Sequence, residues 1–124
     1  MTILVGVDGS NYSEAALEFA AEEASLRRAR LLVVFAWEPP GGLPGEADIT
    51  AQWAVARVAE LQPEVACEGK AIEGHPVAVL LKEAEGANMI VVGSRGRGGF
   101  TSLLLGSVSQ QVVHHAPCPV VVVR

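Results

Sequence analysis

From Gly93 the chain reads Gly-Ser-Arg-Gly-Arg-Gly-Gly, and a short stretch further on it reads Gly106-Ser107-Val108-Ser109. Glycines at this density let the backbone take φ > 0 and bring its N–H groups against a ligand with no Cβ in the way. If Gly106-Ser107 starts a helix, its first-turn amides lack intrahelical partners and its dipole presents a positive end. Ser107 and Ser109 add hydroxyl donors, and Arg95 and Arg97 offer charge-assisted bonds. Together these groups suit a phosphate or another polyanion. Ser107 can also act as a plain N-cap, and one turn can hold both roles.

A second stretch, Gly6-Val7-Asp8-Gly9-Ser10, carries the carboxylate with the best case for a functional role. The competing reading of Asp8 is a turn residue whose side chain bonds its own backbone. Other chemistries find little support. No glycine is followed by Lys-Ser or Lys-Thr as in a Walker A loop, and the first strand-to-helix turn lacks G-x-G-x-x-G. There are no paired carboxylates near the glycine loop, no nucleophile–base–orienter set and no G-x-S-x-G elbow. His114 and His115 are adjacent, so on a helix they point about 100° apart and do not readily share an ion. At a helix C-terminus they suit the dipole instead. His75, between Gly74 and Pro76, is a candidate base or ribose contact. Trp37 and Trp53 read as packing residues rather than a stacking cage. Cys67 and Cys118 read as reduced, buried small hydrophobes on different strands, with no partner at zinc spacing.

These groups need elements to hold them. Ile3-Leu4-Val5-Gly6-Val7 is a continuous apolar run, which predicts a strand buried on both faces of a parallel sheet. A helix follows, capped by Ser10 or Ser13, with Ala16, Leu17, Ala20, Ala21 and Ala24 at helical spacing. It ends near Arg27, Arg28 and Arg30, where cations suit the negative end of the dipole. Leu31 to Trp37 is a second buried strand. Ile49, Trp53, Ala56 and Leu61 mark the next helix, and Val65 to Ile72 a third strand whose weaker alternation predicts a sheet edge. Pro76 suits the first turn of a helix through Val77, Leu80, Leu81 and Ala84. Asn88 to Val92 is a fourth strand. Val108, Val112 and Val113 mark a last helix, and Pro119 to Val123 a fifth strand. Strict alternation of strand and helix predicts an α/β fold, an open parallel five-stranded sheet with helices on both faces. Ligands of such sheets bind at the strands' C-terminal ends where the strand order reverses.

The 124 residues suit a single domain over 1–124, and 50% of them are hydrophobic, enough for a core without staples. A formal net charge of −5 argues against a nucleic-acid binder. No run reaches the roughly 18 apolar residues a membrane span needs, and the N-terminus enters a strand at once. A soluble, cytoplasmic protein is the expectation.

Gly93, two residues, Gly96, nine residues, Gly106-Ser107 resembles the G-2x-G-9x-G-S/T signature of nucleotide-binding universal stress proteins. The likeness extends along the chain, through Val7-Asp8-Gly9-Ser10, Ile90 to Gly96, and His115-Ala116-Pro117-Cys118-Pro119-Val120. It implies a Rossmann-like three-layer sheet of order 3-2-1-4-5. It also implies that Asp8 meets the ribose or the metal–phosphate side, with the Gly6 and Val7 backbone nearby, and that Ala36 offers main-chain groups to adenine. Val92, Gly93, Arg95 and Gly96 would line ribose and phosphates, and Gly106, Ser107, Val108 and Ser109 would hold the phosphates. Members with this signature bind ATP, often with a divalent cation (Mg2+ or Mn2+ would each suit Asp8), and pair as homodimers through the last strand, here Val120 to Val123. The stretch after the second strand is short for the family, which implies a reduced lid, and Asn88 stands where an aspartate is frequent. Three functions follow. One is an ATP-dependent regulatory module without catalysis; another is a slow ATPase or phosphotransferase using Asp8. The third is an adaptor or dimerisation domain that binds no nucleotide or another adenine nucleotide such as cyclic AMP.

Overall fold

A computed structural model describes residues 1–38, 44–95 and 106–124. In chain order these form β1 (Thr2–Val7), α1 (Asn11–Arg27), β2 (Arg30–Trp37), α2 (Pro44–Leu61) and β3 (Cys67–Glu73). There follow α3 (Pro76–Glu83), one 3-10 turn (Ala84–Gly86), β4 (Met89–Gly93), α4 (Ser107–His115) and β5 (Val120–Val123). The five strands make one sheet of order β3-β2-β1-β4-β5, parallel at every pairing. This is the expected three-layer α/β architecture.

The period-2 pleat divides the strand side chains between two cores. Ile3, Val5, Leu31, Val33 and Val91 pack with α1 and α2 on one face. Leu4, Val34, Ile90 and Val92 pack with α3 and α4 on the other. The central strands are covered on both sides, which is why they read as unbroken apolar runs. β3 lies at the edge, as its alternation predicts, and β5 forms the other edge.

Helix α1 begins where Ser10, in extended backbone, accepts a bond from the Ser13 amide at 3.3 Å. Ala16, Leu17, Ala20, Ala21 and Ala24 are all fully buried, as the spacing predicts. The helix ends on Arg28, whose backbone is left-handed with φ 54°, a role usually given to glycine.

Helix α2 corrects the sequence reading. Ile49 is 70% and Trp53 51% exposed, and Ala56 faces out as well. The buried face consists of Ala47, Ala51, Ala54 and Val58. The cause is a close approach: a Cβ on Gly69 of β3 would meet Val55 at 2.7 Å and the Ala51 carbonyl oxygen at 3.1 Å. Only small side chains fit between helix and sheet there, so the large ones turn outward. Two smaller corrections concern the C-terminal half. Val113 is 46% exposed while Val112 is buried. Cys118 lies in the bend before β5 rather than on a strand, and both thiols are half-buried.

Candidate functional site

Strand β1 ends at Val7 and β4 at Gly93. Their pairing at Val5↔Val91 sets both ends at one level of the sheet. Here the order turns, with β2 and β3 to one side and β5 to the other, so the two strand ends open on a common crevice.

After β1, Asp8 folds back on its own chain. Its Oδ1 accepts a bond from the Ser10 amide at 2.8 Å, and Gly9 takes φ 81°. The Asp8 amide donates to Ser13 Oγ at 3.2 Å, and that hydroxyl donates to the Ser10 carbonyl at 3.0 Å. Asp8 therefore fills the turn role, one of the two its sequence setting allows. A carboxylate has about four acceptor positions, so the turn does not exhaust its capacity for a ligand.

After β4 the chain makes a pinned neck. The Ser94 amide donates to the Val123 carbonyl at 2.7 Å, and the Gly106 amide donates to the Ser94 carbonyl at 2.6 Å. Ser109 Oγ lies 3.0 Å from both the Ser94 and the Gly106 carbonyl oxygens. Gly106 is thereby fixed as the N-cap of α4, with no side chain to occupy the first-turn amides. Those amides, of Ser107, Val108 and Ser109, are the donors a helix N-terminus turns toward an anion. Ser107 is exposed and Val108 half-buried. Ser109 is 3% exposed, and its hydroxyl proton is held by the neck carbonyls, so the hydroxyl is committed to the fold.

The remaining expected residues have definite places. Ala36 is half-buried, one residue past the Val7↔Phe35 pair and level with Ile72 of β3. Val92 is buried in the core shared with α4, so its side chain is committed to packing. Arg95 is half-buried immediately after the neck. Gly96 and Arg97 lie outside the described residues. Two of the glycines have packing reasons as well. A Cβ on Gly93 would lie 2.7 Å from the Tyr12 carbonyl oxygen, and one on Gly6 would meet the Leu80 methyls at 3.0 and 3.1 Å.

Several residues with no firm role in the sequence reading gain one in the fold. His75 is the N-cap of α3, its Nδ1 accepting from the Val77 amide at 3.2 Å. Asn88 Oδ1 accepts from the Thr2 amide at 2.9 Å, tying β4 to β1. Ser94 and Ser13 organise the two turns, and neither stands out from sequence except Ser13 by its spacing from Ser10. Burial pushes the Cys67 thiol up to about 11, and Cys118 is raised by the same cause. Both are neutral at ordinary pH, as small hydrophobes would be. Among the described residues no group of three or more His, Cys, Asp or Glu side chains could hold a metal ion.

The family model described as "Universal stress protein family" matches residues 1–124. A universal stress protein of Thermus aquaticus is 40% identical over 136 residues, covering 99% of this chain and 98% of that protein. A universal stress protein of Mycobacterium tuberculosis is 39% identical over 132 residues, covering 98% of this chain and 45% of that protein. The chain thus spans about half the length of the mycobacterial relatives it matches. Among solved structures, a universal stress protein in complex with cAMP superposes with TM-score 0.84 at 28% identity, covering 100% of this chain and 96% of that one. The universal stress protein from Archaeoglobus fulgidus in complex with dAMP gives TM-score 0.80 at 28% identity, covering 100% and 98%.

Proposed function

This chain belongs to the universal stress protein family, and we propose that it binds ATP in the crevice between β1 and β4 as a regulatory module. The observation that carries this reading is the neck. Hydrogen bonds from Gly106 and Ser109 to Ser94 hold a side-chain-free N-cap at the switch point, next to the Asp8 turn. Such a helix start gives amides and dipole to a phosphate chain. Adenine nucleotides in two similar structures, cAMP and dAMP, agree with the ligand class.

In this reading adenine meets the main chain at Ala36, ribose lies against Asp8 and the end of β4, and the phosphates face Gly106 to Ser109. Arg95 and Gly96 flank them. A Mg2+ or Mn2+ ion would enter with the nucleotide, because Asp8 offers one carboxylate and the ion would take its other oxygens from phosphate and water. The module acts without catalysis and in the cytoplasm. It pairs with a second copy through β5, whose outer edge would otherwise present unpaired backbone groups.

Thermal unfolding with ATP tests this. At about 100 times Kd, ATP should stabilise the fold by roughly 2.7 kcal/mol, several degrees in Tm. Gly106→Val should abolish the shift while its circular dichroism stays native. An equal shift in that variant would move the nucleotide elsewhere, and no shift in the parent chain would end the ATP reading. Turnover above roughly 1 s⁻¹ that is lost in Asp8→Ala would favour an enzyme instead.

A further inference from the structure

We propose that the outer face of α2, together with the cleft beside Trp53, docks a cationic amphipathic segment of another protein. The face is an apolar stripe that the described residues leave open: Ile49 is 70% exposed, Trp53 51%, and Ala56 continues the helical spacing. Single exposed hydrophobic residues are ordinary on protein surfaces. Here two large ones stand one turn apart, and one is a tryptophan, the residue type most enriched at interface hot spots. Beside them the surface is concave. Val7, Leu17 and Ala54 line a cleft between α1 and α2, with Trp53, Glu14 and the Gly9-Ser10 part of the Asp8 turn also in its wall. The helix is already seated in the core through Ala47, Ala51, Ala54 and Val58, so the stripe is not needed to hold α2 in place.

The surrounding charge selects the occupant. On a helical projection Glu46 and Asp48 flank the stripe on opposite sides, and Glu14 faces it across the cleft. Among the described residues none of these three is ion-paired. The face's cation, Arg57, is already shared between Glu18 at 3.4 Å and Glu60 at 3.3 Å. A second copy of this chain would bring the same acidic rim against itself, since a two-fold interface pairs a patch with its own image. An anionic lipid surface or a nucleic acid would be repelled. A helix carrying apolar residues at i, i+3, i+4 and i+7 with Lys or Arg on its flanks matches both stripe and rim.

The cleft shares Val7 and part of the Asp8 turn with the proposed nucleotide site, so the test is run without nucleotide. The sequence has 2 tryptophans, so Trp37→Phe leaves Trp53 as the reporter. The probe is a synthetic helical peptide of leucine and lysine with leucines at those positions. It should shift Trp53 emission to the blue, saturably. Ile49→Asp, or Glu46→Lys with Asp48→Lys, should weaken binding by about tenfold or more, the range of a lost interface anchor. Both variants change exposed side chains, and circular dichroism checks that they fold. Equal binding of a glutamate-for-lysine peptide, or of a lysine peptide without leucines, would overturn the proposal. So would unaltered affinity in the variants, or sedimentation showing self-association of the parent chain that Ile49→Asp abolishes.

Discussion

Gly93 and Gly6 stand at the ends of neighbouring strands, and the space around each differs in kind. A side chain at Gly93 meets the Tyr12 carbonyl, part of the first turn of α1, and backbone there cannot yield without moving the helix. A side chain at Gly6 meets only the Leu80 methyls, which can rotate away. Gly93→Ala should therefore cost about 1–3 kcal/mol in urea unfolding, the usual range for overpacking, and Gly6→Ala clearly less. Equal losses would mean that α1 is not pressed against β4 as described. The glycine spacing from Gly93 to Gly106 is readable as an anion site because that argument needs only local backbone freedom. That Gly93 also serves packing is not readable, since its neighbour Tyr12 lies far away along the chain. Asp8 shows the reverse case: its turn role follows from Asp-Gly-Ser as a local motif, and the structure contains it.

At the scale of elements, strand and helix positions follow from apolar runs and helical spacing, and boundaries move by only a residue or two except at the start of α2, which begins at Pro44 rather than near Ile49. The orientation of α2 does not follow. Periodicity finds the most hydrophobic stripe, but the sheet accepts the stripe that fits, and Gly69 admits only alanines and the valines Val55 and Val58 beneath the helix. The end of α1 is legible in its arginines, yet no residue type signals the left-handed Arg28. A non-glycine residue there costs roughly 1–2 kcal/mol, partly offset by the greater chain entropy a glycine loses on folding. Arg28→Gly should then raise stability by about 0.5–1 kcal/mol, read as an increase in Tm. A decrease would show that the Arg28 side chain contributes more than its backbone strain removes.

For the whole molecule, the strand order follows from family resemblance, while alternation of strand and helix alone implies only a parallel sheet. Stability against pH is a property of the same scale. The Cys67 thiol ionises near 11 in the folded chain and at about 8.5 when unfolded. Its neutral form is thus favoured by folding: that contribution is complete below roughly pH 8.5 and drains away as pH rises toward the folded value. Urea midpoints should fall more steeply between about pH 8.5 and 10.5 in the parent chain than in Cys67→Ala. Parallel curves would place Cys67 in a wetter setting than its burial indicates. The Ser94–Gly106 bond has a last consequence for the chain's history. Because that clasp is closed by main-chain groups together with Ser109, most side-chain substitutions around it would leave α4 stationed against the end of β4.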